Sequence, residues 1–343
     1  MIVKVLDFLL IPSLLFLFCF FLTWSIKDLL KKLDVLAKPT ARGMHKTATV
    51  SGGGISVVIT TLFCLIYFYY EMGLERDLYL SSLMGLSVIG LLGLLDDVKG
   101  ISYRARLFVH FSLAIIIISL FFQGILIKTL YPLPISGIFL FIFFVLFLVW
   151  FTNLYNFMDG INGLAVVQAI SFFLSISLIL YLYYPEDYFY FFSLAAIFFG
   201  FLYWNFPIAK IFLGDTGSGT IGIFISINLL YLFVLDVQLF WSGIILLSIF
   251  IVDSTYTLFI RVFKGLPFYK AHNSHAYQRA AIEFESHSKV TISVFIINIF
   301  ILLPLALLIF ETNFNPLYII FGVFSALSLV CFYFKAGIQE NLL

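Results

Sequence analysis

The sequence predicts an all-α integral membrane protein that crosses the bilayer many times, and three observations carry this prediction. Of the 343 residues, 63% are hydrophobic and only 11% are charged, whereas soluble domains carry about 25% charged residues. The apolar residues gather in runs near the length of about 20 residues that a membrane-crossing helix needs. None of these runs shows the polar–apolar alternation of a membrane-spanning strand, so helices are the expected spanning form.

Ten or eleven transmembrane helices are expected, and residues 1–343 are interpreted as one transmembrane domain because no soluble insert separates the runs. The first run follows a lysine, as a signal peptide would. A basic polar segment without a small-residue cleavage site comes next, so we expect a retained helix. The eleven candidate spans are 5–26, 52–70, 79–95, 105–123, 134–152, 162–184, 188–204, 217–235, 239–260, 290–310 and 316–334.

The basic residues predict how these spans are oriented. Of the 19 lysines and arginines, only Lys4, Arg76 and Lys128 fall on one side of the bilayer. Because Lys and Arg accumulate in cytoplasmic loops, the opposite side is expected to be the cytoplasm. Every polar cluster described below falls on that side. A transporter would place its key polar groups near the midplane, so this arrangement favours an enzyme that joins a soluble substrate to a lipid.

The most polar cluster is the stretch N-L-Y-N-F-M-D-G-I-N-G from Asn153. Asn153, Asn156, Asp159 and Asn162 recur every three residues, a spacing that places them along one face of a helix or tight helical turn. Such side chains beside membrane-length segments are expected to mark a substrate or ion site. Asparagines that merely tie helices together are an alternative for one or two of them, less so for four.

Two adjacent carboxylates, Asp96 and Asp97, end the third span, and Arg106 follows at the start of the fourth. Their repulsion can raise one pKa, which suits a base, or a cation can hold both ionised. Adjacent helical residues diverge by about 100°, so the two need not share a ligand. A solvated helix end with its own salt bridges is the structural alternative.

A further carboxylate, Asp215, lies in the small-residue stretch G-D-T-G-S. It could be a metal ligand beside a phosphate-binding turn, since Mg²⁺ usually takes one or two carboxylates together with phosphate oxygens. The stretch is not a Walker A loop, because no Gly-Lys-Ser/Thr follows. The alternative is a helix cap, a role open to Asp215 or to Ser218.

Two basic, histidine-bearing segments complete the clusters. Lys38 and His45 precede three consecutive glycines, which could cradle an anion or form a hinge after a positively charged loop. His272 and His275 have metal-ligand spacing but no third ligand nearby, so a diphosphate or sugar is the better match. The histidines elsewhere, His110 and His287, are expected to be structural. Asp253 lies inside the ninth span without an evident partner.

Taken together and in this order, the clusters resemble the polyprenyl-phosphate N-acetylhexosamine-1-phosphate transferases of glycosyltransferase family 4. The resemblance rests on four motifs: Asp96-Asp97, N-x-x-N-x-x-D-G-x-N-G from Asn153, G-D-T-G-S from Gly214 and A-H-x-S-H-x-Y-Q from Ala271. The last is similar to the branch that initiates O-antigen or capsule synthesis. The related peptidoglycan translocase has a different histidine-rich loop.

The resemblance implies a role for each cluster. Three carboxylates would be catalytic: Asp96 as base or nucleophile, Asp97 as support of the metal site, and Asp159 in an unassigned role. Asp215 and Asn156 would hold Mg²⁺, with Mn²⁺ as the alternative. The residues implied to bind substrate are Lys38, His45, Arg106, Asn153, Asn162, His272 and His275. Asn162 stands where bacterial members commonly carry aspartate, which leaves the choice of sugar open.

The implied reaction is transfer of a sugar 1-phosphate from a UDP-N-acetyl sugar of the GlcNAc, FucNAc or QuiNAc type to undecaprenyl phosphate. Undecaprenyl diphosphate-sugar and UMP would be the products, at the start of O-antigen or other cell-surface polysaccharide synthesis. The expected location is the bacterial inner membrane, with a cytoplasmic active site, the membrane lipid as partner, no nucleic-acid partner, and a homodimer left open. Phospho-MurNAc-pentapeptide transfer and a transporter or flippase are the alternatives.

Overall fold

The computed structural model describes residues 5–37, 48–130, 132–185, 187–267, 272–311 and 315–338. Within these ranges the chain is predominantly helical, and ten helices are long and apolar enough to cross a membrane. A bent pair of helices provides an eleventh crossing if the pair is counted as one span. The expectation of an all-α polytopic membrane protein with ten or eleven spans is therefore confirmed.

The helices are numbered in chain order, and a π-helical turn over Asn298–Leu302 joins α13 to α14. Their bounds are α1 (Val5–Lys32), α2 (Gly54–Glu71), α3 (Arg76–Lys99), α4 (Tyr103–Leu120), α5 (Phe122–Leu126), α6 (Gly137–Phe157), α7 (Leu164–Tyr183), α8 (Tyr188–Asn205), α9 (Gly214–Leu235), α10 (Val237–Leu246), α11 (Ser248–Phe263), α12 (Ala276–Glu283), α13 (His287–Ile297), α14 (Leu303–Glu311) and α15 (Pro316–Tyr333).

The centre of the bundle is α9, which packs against α2, α3, α6, α7 and α10. Every residue from Thr216 to Phe233 is buried. A helix that is apolar on all sides belongs in such a position, because it has no polar face to present to water or headgroups. The N-terminal turn of α9, which carries Asp215, therefore runs from the core of the bundle to the end that the basic residues predict to be cytoplasmic.

The consecutive glycines Gly52–Gly54 dock onto the segment that leads into α9. The peptide N–H groups of Gly53 and Gly54 donate to the carbonyls of Phe212, at 2.9 Å, and Leu213, at 2.8 Å. A Cβ on Gly54 would lie only 2.2 Å from the Cα of Gly217. These two glycines therefore serve close packing between α2 and α9, and their N–H groups are committed to protein carbonyls rather than to an anion.

The predicted ninth span, 239–260, is not one straight helix. It is formed by α10 and α11, which are bent by 66°. The break leaves carbonyl groups without helical partners in an apolar core, where each must find another donor. Gln168 Nε2 donates to the carbonyl of Leu246 at 2.9 Å, and Asn298 Nδ2 donates to Gln168 Oε1 at 2.9 Å. This buried pair of amide side chains accounts for two polar residues in the middle of the spans.

A short antiparallel pair of strands, β1 (Leu36–Ala37) and β2 (Thr49–Val50), lies beside the start of α9. Val50 also forms a parallel bridge with Ile211. The pair brings the segment after α1 next to the segment before α9. Lys38 and His45, two predicted substrate-binding residues, belong to the connection between these strands and lie outside the described residues.

Candidate active site

Asp97 holds the N-terminus of α9 in place. Its Oδ1 accepts a hydrogen bond from the peptide N–H of Asp215 at 3.0 Å. Its Oδ2 accepts from the peptide N–H of Thr216 at 3.0 Å and from Thr216 Oγ1 at 2.6 Å. The first N–H groups of a helix have no partner within the helix, and a carboxylate there also meets the positive end of the helix dipole. Asp97 therefore sets the position of Asp215; its predicted catalytic role stays a prediction.

Asp96 turns away from Asp97, as the divergence of adjacent helical residues predicts, and pairs with Arg106. Arg106 Nη1 lies 2.5 Å from Asp96 Oδ2 and 3.5 Å from Asp215 Oδ2. The other oxygen of Asp96 accepts from the peptide N–H of Ile101 at 2.5 Å. The guanidinium thus joins two carboxylates from distant segments. Since the side chain of Asp96 is 8% exposed and that of Asp215 is 38% exposed, Asp215 is the more accessible of the two.

Asn156 lies in the last turn of α6 and orients Asp215. Its Nδ2 donates to Asp215 Oδ1 at 2.6 Å and to Ser218 Oγ at 2.8 Å. Arg106 and Asn156 therefore contact different oxygens of the Asp215 carboxylate. In this arrangement the amide nitrogen of Asn156, not its oxygen, faces Asp215, so a shared cation would require the oxygen there instead.

A recess of ≈ 20 Å³ adjoins these groups and is lined in part by Arg106, Asn153, Asn156 and Asp215. This volume is about what a single water needs. Within the described residues, no three side chains of the His, Cys, Asp or Glu type are grouped as a metal site. Mg²⁺ usually keeps several waters and takes one or two carboxylates plus substrate phosphates. Asp215, at the edge of the recess, supplies one carboxylate of the kind that Mg²⁺ takes, and the recess itself has room for one water-sized group.

Asp159 follows α6 in the turn that carries Gly160. Burial, and then the charges of Asp215 and Asp97, raise the pKa of this carboxyl well above its usual value. A raised pKa is what a carboxyl needs to exchange protons near neutral pH. Tyr277 packs against this turn, and its Oη donates a hydrogen bond to the carbonyl of Phe157 at 2.9 Å. There is no room for a side chain at Gly160, because an added Cβ would lie 2.3 Å from the same Oη.

The single-face arrangement expected for the asparagine motif holds only for its first half. Asn153 and Asn156 lie on α6, which ends at Phe157, so Asp159 and Asn162 are in the following turn. Asn162 Nδ2 donates to the carbonyl of Pro207 at 3.0 Å, while its Oδ1 is buried without a partner among the described residues. Asn162 does not line the recess beside Asp215, and its predicted role in substrate binding stays a prediction.

Asp253, which the sequence left without a partner, organises the histidine segment. It accepts from the peptide N–H groups of Ala276 and Tyr277, both at 2.9 Å, and so caps the N-terminus of α12. Its Oδ1 also lies 3.2 Å from His275 Nδ1. The side chains of His275 and Asp253 are only 3% and 5% exposed. The signal available in the sequence was a lone carboxylate in an apolar span, which is expected to have a specific partner.

His272 lies beside His275, with ring centroids 5.0 Å apart. Its Nδ1 is 3.1 Å from Ser274 Oγ, which also accepts from Arg261 Nη1 at 3.2 Å. Burial, followed by the charges of His275 and Arg261, lowers the pKa of His272 to about 3. The imidazole of His272 is therefore neutral near pH 7, and any contact it makes with a diphosphate is a hydrogen bond rather than an ion pair.

The structure thus gathers eight of the predicted site residues, together with Asp253, into two groups. The first, here called the α9 cluster, surrounds the start of α9 and comprises Asp96, Asp97, Arg106, Asn153, Asn156 and Asp215. The second, the α12 cluster, comprises His272, His275 and Asp253. Tyr277 connects α12 to the turn that carries Asp159.

The sequence model described as glycosyl transferase family 4 matches residues 79–233. The undecaprenyl-phosphate alpha-N-acetylglucosaminyl 1-phosphate transferase of Thermotoga maritima is 34% identical over 216 residues, which cover 60% of this chain and 60% of that protein.

Two further relatives extend the match. A probable undecaprenyl-phosphate N-acetylglucosaminyl 1-phosphate transferase of Bacillus subtilis is 27% identical over 323 residues, which cover 88% of this chain and 84% of that protein. A phospho-N-acetylmuramoyl-pentapeptide-transferase of Campylobacter jejuni is 29% identical over 248 residues, covering 62% of this chain and 68% of that protein.

Proposed function

We propose that this chain, whose residues 79–233 match the model of glycosyl transferase family 4, is a member of that family and transfers a sugar 1-phosphate from a UDP-N-acetyl sugar to undecaprenyl phosphate. The products would be undecaprenyl diphosphate-sugar and UMP. The single observation that carries this proposal is the line of contacts from Asp96 through Arg106 and Asp215 to Asn156. It gathers separate motifs at the N-terminal end of the buried helix α9, on the predicted cytoplasmic side, where a soluble nucleotide and a membrane lipid would meet.

The physical difficulty of this reaction is that both substrates are anions. An oxygen of the lipid phosphate would form a bond to the β-phosphorus of the donor, and the bond from that phosphorus to the bridging oxygen would break. UMP would leave with that oxygen. Arg106 would offset part of the repulsion by binding the lipid phosphate, and a divalent cation at Asp215 would neutralise charge on the diphosphate.

The surroundings of Asp96 favour a direct displacement over a route through a phospho-aspartyl intermediate. One oxygen of Asp96 is paired with Arg106 and the other accepts from a peptide N–H, so neither is turned freely toward a phosphorus atom. The lipid phosphate is itself anionic near pH 7 and can attack without a strong base. Asp96 would then orient Arg106.

The choice of sugar is narrowed by the relatives. Two of them carry N-acetylglucosaminyl in their names, so UDP-GlcNAc is the first donor to test, ahead of the FucNAc and QuiNAc types. Relatives named for phospho-N-acetylmuramoyl-pentapeptide transfer keep that donor as the second candidate. The proposed setting is the bacterial inner membrane with a cytoplasmic active site, at the start of O-antigen or other cell-surface polysaccharide synthesis.

A transporter is disfavoured because two of the buried amide side chains within the spans have a structural role. Gln168 and Asn298 are engaged with each other and with the break between α10 and α11. The accessible charged groups of the α9 cluster lie at a helix end instead. A transport site would be expected at half-helix ends near the midplane.

The test is UMP release by the purified protein with undecaprenyl phosphate, Mg²⁺ and a panel of UDP-N-acetyl sugars and UDP-MurNAc-pentapeptide. Asp215→Asn should abolish release, whereas Asp28→Asn, at an exposed aspartate of α1 whose side chain is 51% exposed, should leave it unchanged. Metal-dependent release from one donor, lost only in Asp215→Asn, would support the proposal. If the folded protein releases no UMP with any donor of the panel, while an active relative assayed in parallel does, the result would count against the proposal.

A further inference from the structure

We propose that His110 is a further substrate-binding residue and that its Nε2–H group donates a hydrogen bond to the phosphate of the acceptor lipid. The inference rests on the proposed function and adds a residue that the sequence indicated to be structural. It is drawn from three features of the structure: the hydrogen-bond partner of the ring, the place of the ring on α4, and the recess that it lines.

The partner of His110 fixes which ring nitrogen carries the proton. Asn153 Nδ2 donates to the carbonyl of Val149 at 2.7 Å, which orients the amide, and the same nitrogen lies 3.3 Å from His110 Nδ1. An amide NH₂ has two hydrogens and no acceptor capacity. His110 Nδ1 must therefore be the acceptor, and a neutral imidazole that accepts at Nδ1 carries its proton at Nε2.

The ring lies on the membrane side of the α9 cluster. His110 is four residues after Arg106 on α4, so the two side chains lie on the same face about one helical turn apart. Arg106 is near the cytoplasmic end of that helix, which places His110 deeper in the bilayer. A phosphate carried by a lipid approaches from that direction, whereas a soluble nucleotide approaches from the cytoplasm.

Both side chains line the recess of ≈ 20 Å³ beside Asp215. His110 is 8% exposed, and within the described parts of the chain no residue forms a hydrogen bond with its Nε2. The volume admits one oxygen-sized atom, so a single phosphate oxygen could enter while the rest of the group stays at the mouth. Two glycines, Gly93 and Gly219, keep part of the wall free of side chains.

These features assign His110 and Arg106 complementary tasks. Arg106 supplies a charge that is already shared between Asp96 and Asp215. His110 supplies a neutral donor whose direction is set by Asn153, so it can position a phosphate oxygen without adding a third ion pair. Asn153 would then contribute to substrate binding indirectly, by orienting the ring of His110.

The test separates acceptor binding from donor binding. His110→Phe should raise the KM for undecaprenyl phosphate by about tenfold or more, because a hydrogen bond to a charged acceptor is lost, and should leave the KM for the UDP-sugar within twofold. His110→Gln keeps an N–H donor and should restore the acceptor KM to within about threefold of the wild type. The control, His287→Gln, changes a histidine outside the α9 cluster and should alter neither KM.

A second readout uses the wild-type protein and needs no turnover. In ¹⁵N-histidine-labelled protein, the resonance lost in His110→Gln should show the Nε2–H tautomer, and its Nε2 signal should shift when undecaprenyl phosphate is added without donor. UDP-sugar alone should not produce that shift. If His110→Phe does not fold, this measurement still tests the role of His110.

The outcomes are distinct. Wild-type protein that neither binds undecaprenyl phosphate nor releases UMP would refute the proposed function itself. Three results would refute the role of His110 alone. They are turnover by His110→Phe with an unchanged KM for undecaprenyl phosphate, a raised KM for the UDP-sugar instead, and an Nε2 signal that does not shift when the lipid is added. A raised acceptor KM that Gln does not rescue would assign His110 to packing.

Discussion

Two aspartates cap helices at the predicted cytoplasmic end of this protein, Asp97 at the start of α9 and Asp253 at the start of α12. Each lies on another helix and accepts hydrogen bonds from two successive peptide N–H groups. They differ in what the capped helix carries. Asp97 places a carboxylate, Asp215, which reaches the recess, whereas Asp253 places His275, whose ring nitrogen it also contacts.

The two caps also differ in their surroundings. The remaining contact of Asp97 is a hydroxyl, Thr216 Oγ1, and Asp96, Asp215 and Arg106 lie close by. Asp253 is enclosed with His275, and both side chains are 5% exposed or less. The two caps therefore have different results: Asp97 holds an accessible carboxylate beside the recess, whereas Asp253 fixes a buried imidazole. The first should therefore govern turnover more strongly.

Of the two caps, Asp97 is expected to show the larger effect, in the variant Asp97→Ala. The cap would be lost and Asp215 would no longer be fixed, so UMP release should fall by about 100-fold, the upper range for groups that orient a metal ligand. The matched control is Asp236→Ala, which removes a cap at the other end of the bundle, where Asp236 Oδ1 accepts from Gln238 N–H at 2.7 Å. The control should lower thermal stability but not turnover; an equal loss of turnover would show a general stability effect.

A smaller effect is expected from Asp253→Asn. The amide retains one acceptor oxygen but cannot serve both peptide N–H groups, so α12 and His275 should shift and UMP release should fall by about tenfold. Thr257→Val removes only the contact of Thr257 Oγ1 with Asp253 at 3.1 Å and should cost much less. A loss in Asp253→Asn that exceeds the loss in Asp97→Ala would overturn the ranking of the two caps.

The glycines that dock against the α9 cluster allow a third test. Gly54→Ala would place a Cβ 2.2 Å from the Cα of Gly217, so we expect overpacking to cost about 1–3 kcal/mol of stability. Gly90→Ala is the matched control, because its Cβ would meet Val58 at an acceptable 3.4 Å. Thermal unfolding in detergent should show a clear loss for the first variant only. Equal melting temperatures would mean that the helices can separate without cost.

The smallest effect concerns pH and the α12 cluster. The folded pKa of His272 is about 3 against an ordinary value of 6.5, so between these values the unfolded chain binds more protons. Stability should therefore decrease as the pH falls below about 6.5. Melting temperatures at pH 7 and pH 5 should differ more in the wild type than in His272→Gln. An identical pH dependence in both proteins would contradict the burial of a neutral His272.

The sequence predicted most of the fold because the membrane imposes a local rule. Each span must bury its own backbone polar groups, so its length and composition are written in consecutive residues. The exception is the run over 239–260, which is broken at Leu247 with a bend of 66°. No proline or glycine marks that position, and the amides that compensate for it, Gln168 and Asn298, come from other helices.

The kinds of side chain at the candidate site were likewise evident in the sequence, whereas the contacts of the individual residues were not. Asp96 and Asp97 are neighbours and equally acidic, yet one pairs with Arg106 and the other caps α9. Asp253 and His110 had no partner in the sequence that suggested a role. Asn153 to Asn162 has one regular spacing, but α6 ends within it.

The sequence by itself therefore determined the number of spans, the predicted cytoplasmic side and the kinds of groups available for chemistry, because hydrophobic length, charge and side-chain type are local properties. Only the tertiary structure decided which carboxylate is accessible, which ones are occupied as caps, and which histidine lines the recess. The physical reason is distance along the chain: Asp97 and Thr216 are 119 residues apart. Their meeting depends on the packing of α3 against α9, which no single segment encodes.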